Sequence, residues 1–296
     1  MMSNSEAVLL SFKEAKVVFQ VFYLYVKLIN EMFILSFTEG NSIMKKLYLF
    51  IGGLIIMSGI TGCQTKNKAE IEQSFDKVLA MYPTPNLEDF YDMEGYRDGE
   101  FDENDKGVWL LHSSMSISTS EDSGLATEGM LLRMNRNNRK AKGYYYTTTY
   151  WNDLSKPKGE KRYPVIYDNE GFRLLEDISD TKLKEKIMNF QFFVQYGNFK
   201  KLDSYENIRK MYNPEVPMYE LEYQLTNEDQ NVKALRERYD IPTEEAPILL
   251  LKGRGDLQGS SVGYKELEFT FDKKIDVFFD DSIDFQPLSQ EDVINE

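Results

Sequence analysis

Apolar and polar residues alternate at every second position in one segment after another from Val108 onward, and this period constrains the fold more than any other feature. Val108–Ser118, Leu125–Asn135 and Ala141–Asn152 read as long strands, and Tyr163–Asp168 and Gly171–Leu175 as shorter ones. Turn residues separate them, as a chain of antiparallel hairpins requires. A second set follows at Glu215–Thr226, Pro247–Lys252, Ser261–Phe271 and Ile275–Phe279. Three segments carry a helical period instead. From Ala69, residues Ile71, Phe75, Val78, Leu79 and Tyr82 recur on one face until Pro83 and Pro85 stop the helix. Thr181–Tyr196 places Leu183, Ile187, Phe190 and Val194 on one face, with Gly197 as its stop, and Glu228–Tyr239 reads as a polar helix. No repeat, low-complexity tract or linker divides the sequence. The expectation is a single α+β domain: an antiparallel meander sheet with helices packed on one face.

The N-terminal region follows a different logic. Lys45 and Lys46 precede a short apolar run, Leu47–Gly59, and Ile60-Thr61-Gly62 then lead to Cys63, the single cysteine of the chain. A basic start, a short apolar stretch and small residues before a cleavage point are the layout of a secretory signal. The run is shorter than the ~20 apolar residues of a membrane-spanning helix and contains Gly52, Gly53 and Gly59. The ending resembles a lipoprotein signal-peptidase box, in which Ile60, Thr61 and Gly62 are the recognition residues and Cys63 is lipidated. Residues 1–43 fit poorly ahead of such a signal. They read either as a leading membrane helix, Val17–Phe37 interrupted by Lys27 and Glu31, or as a leader upstream of a true start at Met44. The codons for Glu39-Gly40 must be purine-rich, three codons short of Met44, which favours the second reading. The expected division is 1–43 leader, 44–62 signal peptide, 63–68 polar tether, 69–288 folded domain and 289–296 tail.

Charge narrows the function classes. The chain has 35 Lys and Arg against 49 Asp and Glu, a formal net charge of −14. Generic affinity for nucleic acid needs clustered cations and is excluded. Cleavage before Cys63 removes five basic and four acidic residues, leaving 234 residues at −15. Attachment to a membrane then depends on acyl chains, each buried methylene contributing about 0.8 kcal/mol. With no second cysteine, a disulfide framework is impossible, and a single histidine leaves one candidate for any Ser-His pair.

That histidine, His112, sits in the strand sequence VWLLHSSMS next to Ser113 and Ser114. No G-x-S-x-G elbow accompanies it, so a structural histidine is the expectation. Asp102–Gly107 resembles a calcium loop, but Lys106 and Ser113 occupy ligand positions of that template. The carboxylates Asp276, Asp280, Asp281 and Asp284 read as a solvated charged face. Gly253–Gly259 is nearly a dinucleotide loop, but a strand rather than a helix follows it, so it reads as a turn. No catalytic residue, metal ligand or cofactor is expected. Arg133–Arg162 is the one basic stretch, nine bases against Asp153 and Glu160. Its turns should lie at opposite ends of one strand. Arg136, Arg139, Lys140, Tyr145 and Trp151 are the candidate partner contacts, since Arg, Tyr and Trp favour interface hot spots.

The succession of the lipidation box, GYRDGEFDENDKGVWLL, MLLRMNRNNRKAKGYYY, KRYPVIYDNEGFRL, and the stretch from FQFFVQYGNFKKL to GYKELEFTFDKK resembles the staphylococcal tandem lipoproteins, also called the conserved staphylococcal antigen family. The resemblance runs from Met44 to about Asp281. It implies a curved half-barrel sheet like that of lipoprotein carriers, with helices in its concavity. It also implies an uncharacterized, non-enzymatic lipoprotein of the cell membrane, held at the extracytoplasmic face by S-diacylglycerol and an N-acyl (palmitate-type) chain on Cys63. Family members are associated with innate sensing of the acylated end and with uptake into host cells. The implied partners are the membrane and a host-cell protein or anionic envelope polymer. The alternative is a module that holds a lipid or apolar ligand in the concave face of the sheet.

Overall fold

The computed structural model describes residues 66–118, 124–151, 159–200, 202–258 and 265–289. Ten strands form one antiparallel sheet. They are β1 (Val108–Ile117), β2 (Leu125–Asn135), β3 (Lys140–Tyr150), β4 (Gly159–Asp168), β5 (Gly171–Leu174), β6 (Glu206–Asn213), β7 (Met218–Gln224), β8 (Ile248–Arg254), β9 (Lys265–Asp272) and β10 (Val277–Gln286). Their spatial order is β5-β4-β3-β2-β1-β10-β9-β8-β7-β6. The first five strands therefore step outward from the middle to one edge, and the last five step back from the other edge. The two meanders meet where β1 pairs with β10, Val108 opposite Gln286 and Ile117 opposite Val277. The edges β5 and β6 do not pair with each other, so the sheet is open. The α+β meander expected from the sequence is the observed architecture.

Among the described residues three α-helices accompany the sheet: α1 (Lys68–Leu79), α2 (Thr181–Met188) and α3 (Gln230–Arg238). Asn67 starts α1 through a capping box: its Oδ1 accepts from Glu70 N at 2.9 Å while Glu70 Oε2 accepts from Asn67 N at 3.0 Å. Ile71, Phe75 and Leu79 form its buried stripe. The carboxylates of Asp180 and Asp229 cap α2 and α3 without the reciprocal bond, accepting from Leu183 N and from Asn231 N and Val232 N respectively.

Four expectations shift. Helix α2 stops at Met188 rather than running to Tyr196. Consecutive Phe192, Phe193 and Val194 are all buried, and a helix would swing one of them toward solvent, so tertiary burial overrides the helical period. Those residues instead lead into a 3₁₀ turn, Phe193–Gln195. Strand β6 had no sequence counterpart. It is an edge strand whose charges (ENIRKMYN) blunt the edge and erase the alternation. Strand β4 begins at Gly159, four residues before its expected start. Strand β10 runs past Phe279 to Gln286, through the paired acids Asp280 and Asp281.

The core lies between the helices and one face of the sheet. Phe193 is its hub, with ring centroids 5.2 Å from Phe269, 5.4 Å from Phe279 and 5.7 Å from Tyr82. The pairs with Phe269 and Phe279 are edge-to-face, an arrangement that adds about 0.5–1.5 kcal/mol each beyond area burial.

Candidate functional site

Strand parity sorts the polar residues of the middle strands onto two faces. On β10, Val277, Phe279, Asp281, Ile283 and Phe285 point into the core, so Asp280, Ser282 and Asp284 point to the face opposite it. On β1 the same rule puts Ser113 on the core face and His112 and Ser114 on the other. A His112–Ser113 dyad is thus excluded by geometry. Ser113 Oγ donates to Asp281, and its oxygen accepts from Phe193 N at 3.0 Å. Tyr82 Oη donates to the other oxygen of Asp281 at 2.5 Å. Burial pushes the Asp281 carboxyl up to about 7, and the two hydroxyl donors pull in the opposite direction. Expecting Asp276, Asp280, Asp281 and Asp284 to form a solvated face therefore does not hold for Asp281, which is buried.

The non-core face carries a continuous polar row across the seam. Cross-strand register aligns Arg162, Tyr146, Gly129, Ser114, Asp280 and Glu268. Beside it run Tyr144, Leu131, His112, Ser282, Glu266 and Lys252. His112 Nε2 lies 2.8 Å from Tyr146 Oη, and burial pulls the imidazole below its usual range. The ring is accordingly neutral at neutral pH, consistent with a structural histidine.

Carboxylate oxygens of Glu266, Glu268 and Asp280 lie within 4.8 Å of one another. The cation set against them is Lys252, whose Nζ is 2.9 Å from Glu266 Oε1 and also bonds Glu268. Burial alone would lower the Lys252 pKa; its bonds to both glutamates override this and raise it. Asp280 is held well above the usual carboxylate range, by burial first and then by the charges of Glu266 and Glu268. One lysine balances two glutamates, and the third acid stays protonated.

The two halves of this face differ in sign. Arg133, Lys142 and Arg162 stand on β2, β3 and β4 beside Tyr144 and Tyr146. Glu220, Glu222, Glu266, Glu268 and Asp280 stand on β7, β9 and β10. A shallow cavity of about 370 Å³ on the acidic half is bounded by Arg209, Glu222 and Glu268.

The partner contacts expected from the sequence scatter. Tyr145 faces the core without exposed surface, its hydroxyl donating to Glu128 at 2.8 Å. Arg136 is turned inward: it bonds Glu94 at 2.7 Å and the carbonyls of Tyr91 and Lys106, above the Phe285 ring. Arg139 is exposed, holding Asp92 at 2.7 Å and lying over Tyr91. Lys140 is exposed at the start of β3 and Trp151 at its far end, 43% exposed. Eleven residues of β3 separate these ends by roughly 34 Å. Ile60, Thr61, Gly62 and Cys63 lie outside the described residues, as do 152–158 of the basic stretch. The loop Asp102–Gly107 is a structural turn: Asp105 accepts from Gly107 N, Asn137 Nδ2 and Leu288 N. Gly255 has φ +83°, and the next element among the described residues is strand β9 from Lys265.

The profile of the Csa1 family matches residues 67–288, all ten strands and three helices. The chain belongs to the Csa1 family. An uncharacterized lipoprotein of Staphylococcus epidermidis is 50% identical over 253 residues, covering 84% of this chain and 98% of that protein. An uncharacterized lipoprotein of Staphylococcus aureus strain MSSA476 is 51% identical over 247 residues, covering 82% and 97%. A third, from Staphylococcus aureus strain USA300, is 50% identical over 251 residues. The resemblance to staphylococcal lipoproteins read from the sequence is therefore confirmed at family level. In this Csa1-family protein the seam of the sheet is the place where buried charge, an imidazole and aromatic hydroxyls gather. The sequence signalled His112 and the β10 acids, but Lys252, Glu266 and Glu268 went unnoticed because their convergence depends on strand order.

Proposed function

We propose that this protein is a non-enzymatic lipoprotein, anchored through Cys63 at the extracytoplasmic face of the cell membrane, that presents the non-core face of its sheet to a protein partner. Residues 69–288 form the presented domain, and Gln64–Lys68 is the short tether. One observation carries the reading: the buried stripe of α1 and the 3₁₀ turn at Phe193–Gln195 pack on one face, while the opposite face bears a two-signed array of charges with aromatics. A face basic over β2–β4 and acidic over β7–β10 selects a partner of complementary polarity. An anionic envelope polymer would be attracted to one half and repelled by the other. The chemistry of the face also argues against catalysis. Its histidine is engaged by the Tyr146 phenol and its lysine is locked between two glutamates.

The test is a photo-crosslinking amino acid placed at Tyr144, at Glu266 and, as a control, at Val216 in the β6–β7 turn, on intact cells. The reading predicts a common protein adduct from Tyr144 and Glu266 and none from Val216. Adducts from Val216 alone, or capture of glycopolymer only, would contradict it.

A further inference from the structure

On β9 the core-facing residues are Leu267, Phe269 and Phe271, and the next position of the same parity is Lys265. An ammonium at the end of an apolar row calls for an explanation. Lys265 borders a cavity of about 490 Å³ between α1, the segment around Met93 and the end of β8–β10. Val78, Met81, Met93, Trp109, Ile283 and Phe285 form its apolar wall. Lys77, in the last turn of α1, lines the same cavity.

Neither lysine has an ion pair or hydrogen-bond partner among the described residues. The two acids that border the cavity are engaged elsewhere: Glu94 holds Arg136 at 2.7 Å, and Asp284, whose side chain lies on the opposite face of β10, accepts from Gln286 Nε2 at 2.5 Å and Phe285 N at 3.0 Å. Burial lowers the Lys265 pKa and Lys77 lowers it further, while Asp284 and Asp256 only partly compensate. A half-buried ammonium at Lys265 beside an apolar wall carries a desolvation cost that a bound anion would offset, and the exposed Lys77 adds a second donor of the same sign at the edge of the cavity. The volume lies in the lower half of the range of about 300–1,000 Å³ usual for small-ligand cavities, which suits one acyl chain rather than two.

We propose that this cavity binds a single-chain fatty carboxylate, its head between Lys77 and Lys265 and its chain along the Met81–Met93–Trp109 wall. This goes beyond the partner-presenting role and gives the ligand-binding alternative a defined place. That place is at the end of the sheet, because the middle of the core face is filled by Phe193, Phe269 and Phe279. The site and the presenting face are separate, so failure of one reading leaves the other standing.

The experiment uses the full chain carrying Cys63→Ser, so that no acyl group of its own competes, and a dansylated undecanoic acid as probe. Energy transfer from Trp109 reports occupancy. Palmitate should displace the probe, and hexadecanol, of equal chain length but uncharged, should be at least about tenfold weaker. Lys265→Met and Lys77→Met should each weaken palmitate about tenfold without changing hexadecanol, and Lys265→Arg should retain binding. Lys77 is on an exposed helix position, so Lys77→Met decides the matter if Lys265→Met disturbs folding. Absence of saturable binding, equal displacement by acid and alcohol, or palmitate affinity indifferent to both substitutions would overturn the proposal.

Discussion

Tyr82 Oη donates a 2.5 Å hydrogen bond to Asp281 Oδ2, joining residues 199 positions apart in sequence at the middle of the core. Tyr82 follows α1, and Asp281 lies on β10, so this bond and the one from Ser113 tie the first helix to the seam where the two meanders meet. The bond also sets a pH dependence. Asp281 titrates at about 7 in the fold against about 3.9 in an unfolded chain. Between those values the native state holds a proton that the unfolded state releases. The contribution is complete below about pH 4 and is lost as pH rises through about 7. Asp284, pushed up to about 6 by burial, acts with the same sign. Urea unfolding should therefore show greater stability at about pH 5 than at about pH 8, by on the order of a few kcal/mol. Asp281→Asn should remove its own share of that slope, leaving the part that Asp280 and Asp284 contribute with the same sign, and Tyr82→Phe should cost about 1–3 kcal/mol at the higher pH. An unchanged slope in Asp281→Asn would refute this account of the core.

Phe285 and Gly107 make a second, purely steric relationship. Phe285 packs at 4.7 Å from Trp109 and 5.2 Å from Phe101, and a side chain on Gly107 would intrude on its ring. Gly107 also has φ +79°, a conformation that favours glycine. Gly107→Ala should destabilise by roughly 1–3 kcal/mol in thermal unfolding. Phe285→Leu combined with it should cost less than the sum of the two single changes, because both act on one contact.

Lys252 should be needed to hold its acid neighbours together. Lys252→Met leaves Glu266 and Glu268 facing Asp280 without their cation. The expected loss is about 1–3 kcal/mol at neutral pH, read as a fall in the urea midpoint. A variant as stable as the wild type would contradict the charge balance assigned to the cluster.

Arg136 and Arg139 lie three residues apart but should behave differently. Arg136→Ala removes bonds to two carbonyls and Glu94 from a largely buried side chain and should cost about 1.5–3 kcal/mol. Arg139→Ala breaks an exposed pair with Asp92 and should leave the midpoint unchanged.

The alternation of β1, β2 and β3 was plain in the sequence because each strand has one buried face, and a slip of one residue would expose it. Strand β6 was not, since an edge strand can be polar on both sides. The far half of β10 was hidden because Asp280-Asp281 looks like solvent-exposed charge, whereas burial raises the pKa of both acids, joined at Asp280 by the charges of Glu266 and Glu268. Parity alone predicts that His112 and Ser113 part company, and the same rule would have exposed Lys265 as a charge on the apolar side. What no local pattern encodes is the pairing of β1 with β10. It brings His112 opposite Ser282 and so assembles the seam from residues 170 positions apart.

The account rests most heavily on Cys63 as the attachment point. Cells fed an alkyne analogue of palmitate and expressing the wild-type chain or Cys63→Ala would test it directly, by label in the purified protein and by its distribution between membrane and medium. The account predicts labelled, membrane-bound wild type and unlabelled variant that no longer stays with the membrane after signal processing. A Cys63→Ala variant that remains both labelled and membrane-retained would contradict it.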